Sequence, residues 1–550
     1  MSGRSSLLSH PWRVLRWAGL AAAVPAVWAC TSRSLEAPVV TPTQIFSNKV
    51  TQKINNDIDI LFMIDDSSSM TTMQTKLLAQ LPTFMQVLQA LPMGLPGVQV
   101  AVVSSDMGAP SDQGAAGIGC SNTGDNGNFY ATAEPPCTMT SLNAGSFFIA
   151  DDAAGMTKNF SLADPAGIST VFQCIGLLGA AGCGFEHQLA SIDRALGADG
   201  QGPAPSMNTG FIRDGAYLGI VMLTNEDDCS APPSGGPLPV YSLNGDNTND
   251  INTPASPGGP PDGPIANYRC NGGPLGGHLC QDLNPGSTDM TDFSQPPLNP
   301  PPDATGTAAA PTLTLSNCES NDTSSSALTP VSKFVADIKS LKPDPANQIL
   351  VAAVTGVTGN DPANLTPTPY TVQWLPGAGP AASQLWPSVE HNCTSANGDG
   401  SFADPAVRIT QFVKAFGTNG VLASICDNNY ATSMAAIAAK IGALITPKCI
   451  TGTIQQVNNQ PDCTVTNEVE NNGVTKQVAV PSCVASNNAA PCWAFVAPGG
   501  TDPAGVMNKC GAGTQALYVS PDPNNLTPQN LDSLVECSTC VAGTPAAGCP

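Results

Sequence analysis

Four runs of consecutive apolar residues stand out along the chain: residues 58–64 (IDILFMI, broken only by Asp59), 98–103 (VQVAVV), 217–223 (YLGIVML) and 348–354 (QILVAAV). They are almost continuously apolar rather than alternating, as expected of strands buried on both faces of a parallel sheet. Segments of 3.6-residue period lie between and after them. Met73, Leu77, Leu78, Leu81, Phe84, Met85, Leu88 and Leu91 share one helical face, with Pro82 placed to kink or split that helix. Further helices are expected over 185–196, 330–341, 405–416 and 431–445. Strand and helix in alternation predict an α/β fold with a doubly wound, mostly parallel sheet.

Two stretches interrupt this rhythm. Residues 108–183 are rich in Gly, Asn and Asp and carry Cys120, Cys137, Cys174 and Cys183, with one short apolar stretch at Phe147-Phe148-Ile149 expected as an edge strand. Residues 229–328 are rich in Pro and Gly and carry Cys229, Cys270, Cys280 and Cys318. A loop of that length inside a compact domain calls for stapling or a function. From Cys449 the character changes again. Eight cysteines fall from Cys449 to Cys549, and Asn471-Asn472-Gly473 between two polar-apolar runs signals a hairpin. The expected organisation is residues 1–29 as a signal peptide, 30–55 as a tether, 56–447 as the α/β domain with insertions 108–183 and 229–328, and 448–550 as a small Cys-rich β module.

Charge and cysteine content narrow the setting. Twenty basic residues face 42 acidic ones, a formal charge of −22, which makes nucleic acid and anionic membrane surfaces poor partners. The N-terminus has Arg4, Arg13 and Arg16 ahead of an apolar stretch, residues 17–29, that is short for a membrane span. It ends Val27-Trp28-Ala29-Cys30, which resembles a bacterial lipobox with Cys30 as the lipidated first residue; ordinary cleavage or an uncleaved anchor are the alternatives. Thr31 in place of Asp implies, by the same resemblance, the outer membrane or cell surface, with the periplasmic face left open. Setting Cys30 aside leaves eighteen of nineteen cysteines, an even number suited to disulfides in an oxidising compartment. Only Cys537-x-x-Cys540 has a zinc-like spacing.

The chemistry concentrates where the first apolar run ends, in Asp65-Asp66-Ser67-Ser68-Ser69. Ligands of open α/β sheets bind at the carboxyl ends of the strands. Hard oxygen donors at i, i+2 and i+4 suit Mg²⁺ or Ca²⁺. The bland alternative has Ser67 or Ser69 capping the next helix. Asp65-x-Ser67-x-Ser69 after an apolar strand resembles the metal-ion-dependent adhesion site of von Willebrand factor type A domains, in Gram-negative exported lipoprotein form.

That resemblance implies three ligand loops. The first is intact in Asp65, Ser67 and Ser69. The second, normally G-G-T, corresponds to Gly182-Cys183-Gly184-Phe185-Glu186, with Glu186 at the Thr position; a carboxylate there favours Ca²⁺. Alternatively, Glu186 is only a helix N-terminal residue favoured by the macrodipole. The third, normally L-T-D-G, corresponds to Leu223-Thr224-Asn225-Glu226, so Asn225 stands for the Asp, with Asp227 or Asp228 as candidates to restore the lost charge. Asp106 is a secondary candidate and His187 is expected to be a solvated helix residue. The implied mechanism is adhesion, in which a partner protein's Asp or Glu completes the coordination of one cation. The rival is a structural surface protein with a degenerate site that binds through its disulfide-bound insertions. Catalysis is not expected. Asp65-Asp66 also resembles a receiver-domain pocket, but an exported chain lacks the setting for it. No G-x-S-x-G elbow accompanies His187, His278 or His391.

Overall fold

The structure, a computed structural model, describes most of residues 57–232, 310–376 and 385–496. It also describes shorter stretches such as 43–51, 276–282, 514–519 and 531–540. The signal peptide and Cys30, with most of 233–304, lie outside the described residues.

A six-stranded sheet forms the centre. Its strands, numbered in chain order, are β1 (Ile58–Ile64), β2 (Val98–Ser104), β3 (Ile149–Asp151), β4 (Tyr217–Leu223), β5 (Ile349–Thr355) and β6 (Gly420–Ser424). They lie side by side in the order β6-β5-β4-β1-β2-β3. All neighbours are parallel except β3, which pairs antiparallel with β2 at the edge. The chain thus starts in the middle of the sheet, winds to one edge, then returns and winds to the other.

Among the described residues, seven helices of two turns or more flank the sheet: α1 (Thr71–Ala79), α2 (Leu81–Gln89), α3 (Ala166–Ile175), α4 (Gln188–Leu196), α5 (Val331–Ser340), α6 (Val407–Lys414) and α7 (Ala431–Ile445). Pro82 splits the first expected helix into α1 and α2, because it sits at the N-terminal turn of α2, where its missing N–H costs nothing. Alternation along β1 sends Ile58, Ile60, Phe62 and Ile64 into a core built with α1, α2, α3 and α7. Leu61 and Met63 point the other way, into a second core with α4, α5 and α6. Both faces of the strand are therefore apolar, which is why its sequence shows no alternation.

The insertions hold more regular structure than their composition suggests. Helix α3 lies within 108–183 and adds Ile168, Val171, Phe172 and Ile175 to the first core. Strands His278–Asp282 and Ala310–Ser320, from the second insertion, form an antiparallel sheet with Tyr370–Pro376 and Leu385–Val389. The expected hairpin is present as Cys463–Asn471 paired with Val474–Val480. Its sheet is completed by Leu531–Cys540 and, at the edge, by Thr43–Thr51. Residues 43–51 are thus a strand paired with the C-terminal region, not a loose tether. Cys537 and Cys540 belong to different disulfides, with Cys463 and Cys549, so their spacing is not that of a zinc site.

Candidate metal site at the sheet edge

Strand register places the site. Ile64 lies opposite Leu223 and Ser104, and Leu223 opposite Val354, so β1, β2, β4 and β5 end level with one another. The residues that follow, Asp65, Ser105, Thr224 and Thr355, meet along the carboxyl edge of the sheet and are all buried.

Asp65 is fully buried, and each of its oxygens accepts hydrogen bonds. Oδ1 takes the Ser67 amide at 2.8 Å and faces the Ser105 hydroxyl at 3.3 Å; Oδ2 takes the Thr224 hydroxyl at 2.7 Å. Gln188 Nε2 in turn donates to Thr224 Oγ1 at 2.9 Å, fixing its hydroxyl towards Asp65. Burial raises the Asp65 pKa, and the hydrogen bonds from Thr224 and Ser67 oppose the shift.

The two serines of the motif converge. Ser67 Oγ lies 3.3 Å from Ser69 Oγ, and Ser69 Oγ donates to Asn225 Oδ1 at 3.1 Å, across 156 residues of sequence. Neither caps α1, whose N-cap is Met70 without a side-chain cap. Gln74 holds the loop from below. Its Nε2 donates to the Asp65 and Gly179 carbonyls at 2.8 Å each, and its Oε1 accepts from the amides of Leu178 and Gly179 at 3.2 Å. Gly182 closes over the Asp66 carboxyl, where a Cβ would stand 2.3 Å from Asp66 Cγ, so only glycine fits.

Glu186 arrives from the second loop. Its carboxyl is buried, Oε1 receives no hydrogen bond, and the Glu226 carboxyl lies close enough to act on its charge. Burial, then Glu226 and Asp65, raise its pKa well above the ordinary carboxylate range. Glu226 is half-buried, and burial together with Asp404 and Asp65 pushes it up to about 8. Asp66, beside Asp65, is pushed up to about 8 by burial and by Asp65, Asp106 and Asp125. Buried carboxyls facing one another without a cation keep protons they would otherwise lose.

Other candidates go elsewhere. Asp227 is not turned to Asp65. Its oxygens accept the amides of Arg408 (2.8 Å) and Ile409 (3.1 Å) at the start of α6, and Oδ2 lies 2.6 Å from His278 Nε2. Asp228 binds the Leu189 amide, Ser230 and the Arg408 guanidinium. Asp106 Oδ1 accepts the Gly108 amide at 2.7 Å. His187, expected to be solvated, is buried at the N-cap of α4, and desolvation lowers its pKa to about 3.

The structure thus brings together Asp65, Ser67, Ser69, Asn225 and Glu186, and adds Thr224, Ser105, Gln74 and Glu226. Thr224 stands at its motif position in the sequence, whereas Gln74 and Ser105 carry no sequence signal beyond their place after a strand or in a helix. The donor set is entirely hard oxygen, it is anionic, and one buried carboxylate oxygen lacks a partner. These residues fit a Mg²⁺ or Ca²⁺ ion. Among the described residues no group of three or more His, Cys, Asp or Glu side chains is arranged to hold a metal, so the serines are needed for any such site. Disulfides Cys120–Cys183 and Cys229–Cys270 anchor the chain next to Glu186 and Asp228.

No family model matches the sequence, and no curated protein matches it. Solved structures do. The vWF domain of the type V pili tip protein Mfa5 from Porphyromonas gingivalis is 12% identical, with a TM-score of 0.29, covering 72% of this chain and 99% of that one. A structure of three N-terminal domains of the same protein is 11% identical, with a TM-score of 0.28, covering 92% and 69%. The pilus adhesin RrgA from Streptococcus pneumoniae is 10% identical, with a TM-score of 0.25, covering 90% and 58%. Similarities this low decide nothing by themselves; strand order and site geometry carry the fold.

Proposed function

We propose that this chain is an exported type A domain protein that binds a partner protein through a divalent cation held at the sheet edge. The carrying observation is the convergence of Ser67, Ser69 and Asn225 beside buried Asp65, with buried Glu186, whose Oε1 has no partner, near enough to Asp65 to feel its charge. In this reading Ser67, Ser69 and Glu186 hold the cation, while Asp65 and Asn225 orient the serines and any bound water. The bound cation supplies a positive centre to which an Asp or Glu of the partner adds a charge-assisted contact. The central-first strand order with an antiparallel edge strand supports the doubly wound type A architecture.

The disulfides among the described residues support export to an oxidising compartment. Attachment is through a lipid on Cys30, at the outer membrane or cell surface, with the Cys-rich β module behind the α/β domain. The acidic balance speaks against nucleic acid as a partner. We read the site as one for binding, not catalysis.

The test is interferometry of the full-length chain against immobilised proteins rich in exposed Asp and Glu, in Ca²⁺ and then EDTA. The expected result is binding that EDTA reverses and that Asp65→Ala abolishes. Binding indifferent to both would overturn the proposal and assign the contacts to the disulfide-bound insertions.

A further inference from the structure

The type A resemblance predicts glycine after the third-loop acid; this chain has Glu226 there instead. The backbone turns so that Asn225, Glu226 and Asp227 go three ways. Asn225 Oδ1 meets Ser69, and Asp227 turns to the start of α6. The Glu226 carbonyl accepts from Gln188 Nε2, and its carboxyl lies against that of Glu186. The charge that Asn225 lacks is therefore returned by its neighbour, paired with the carboxylate that replaces the second-loop threonine. Glu186 is 3% exposed with Oε1 unpartnered, while Glu226 is half-buried and opens to solvent.

We infer that Glu186 and Glu226 act as one carboxylate pair that clamps the cation and selects Ca²⁺ over Mg²⁺. This rests on the proposed function and deepens it. Two glutamates beside two hydroxyls offer many oxygens at adjustable distance. Ca²⁺ takes about six to eight oxygens, readily including carboxylates, whereas Mg²⁺ demands near-ideal octahedral geometry and prefers to keep its waters. A buried carboxylate against a half-buried one also repels it when both are ionised, and a cation held between them relieves that repulsion. With Glu226 opening to solvent, the pair presents the ion with an inner carboxylate fixed by burial and an outer one free to close on it.

The experiment is calorimetric titration of CaCl2 and of MgCl2 into the full-length chain and into Glu226→Gln, each first stripped with EDTA. Gln is isosteric with a protonated Glu and removes a charge that Glu186 and Asp65 repel, so the stripped variant should unfold at the wild-type temperature or above it. The expected result is one Ca²⁺ site in the wild type, at least about tenfold tighter than Mg²⁺, with Ca²⁺ affinity falling about tenfold or more in the variant and the preference collapsing. Unchanged Ca²⁺ affinity in Glu226→Gln, or equal affinity for the two ions in the wild type, would overturn this inference and leave the cation-dependent function intact. No saturable binding of either ion to the wild type would overturn both.

Discussion

Thr224 Oγ1 donates a 2.7 Å hydrogen bond to Asp65 Oδ2, joining the ends of two adjacent parallel strands 159 residues apart in sequence. This bond ties the third loop to the first and sets the orientation of the Asp65 carboxyl. Replacing the hydroxyl by a methyl in Thr224→Val keeps the shape and leaves a buried carboxylate oxygen without its donor. The expected cost is about 1–3 kcal/mol in denaturant unfolding, together with weaker divalent-cation binding by calorimetry.

Asp227 offers the opposite separation of effects. Asp227→Ala removes the acceptor for two α6 amides and for buried His278. Loss of a cap and an abandoned buried donor together predict about 2–4 kcal/mol of destabilisation. Cation affinity of the folded variant should stay at the wild-type value. Asp65→Ala should lose the cation, and because it also abandons the Ser67 amide and the Thr224 hydroxyl it is destabilised as well, so the two variants are told apart by cation affinity.

Without a cation, stability should fall as pH rises. Asp66 and Glu226 are each pushed up to about 8 in the folded chain, as is Asp193 by burial and by Asp337. Unfolded carboxyls titrate near about 4. Between these values the folded state holds protons that the unfolded state has released, so stability is full below about pH 4 and declines towards pH 8. Melting temperatures in EDTA should therefore decrease from pH 5 to pH 8. Saturating Ca²⁺ should flatten that slope, because a cation replaces the protons at the site.

Legibility from sequence followed local strength of pattern. β1 and β4 were readable to the residue because seven consecutive buried positions leave no other interpretation. The hairpin at 471–473 and helix α7 were equally plain. Helix α3 was hidden because its ten residues, AGISTVFQCI, sit between Gly- and Asp-rich stretches that mask a single apolar face. β6 escaped because GVLAS is short and begins with glycine. At the site, Asp65, Ser67 and Ser69 share one loop and could be read as a motif. The roles of Glu226 and Asp227 could not, since adjacent residues in a turn point apart and only their long-range partners, Glu186 and Arg408, show which is which.

The disulfides beside the site should matter for binding as well as for folding. Cys229–Cys270 closes a loop of 41 residues directly after Asp228. Its removal by paired Cys→Ser substitution predicts a loss of about 3–4 kcal/mol by loop entropy. Cation affinity should drop with it, because Cys229 N donates to the Glu186 carbonyl at 2.8 Å and fixes that loop. Thermal melts and calorimetry on the double variant would read both effects.

The most direct test is a crystal of the chain grown with Mn²⁺, a hard cation suited to the same oxygen donors, with its position located by anomalous scattering. One strong peak is expected in direct bonding distance of Ser67 Oγ and Ser69 Oγ, with the Glu186 carboxylate turned to it and Asp65 behind the serines. A well-ordered loop with no peak there, or a peak elsewhere with Ser67 and Ser69 still hydrogen-bonded to each other, would contradict it.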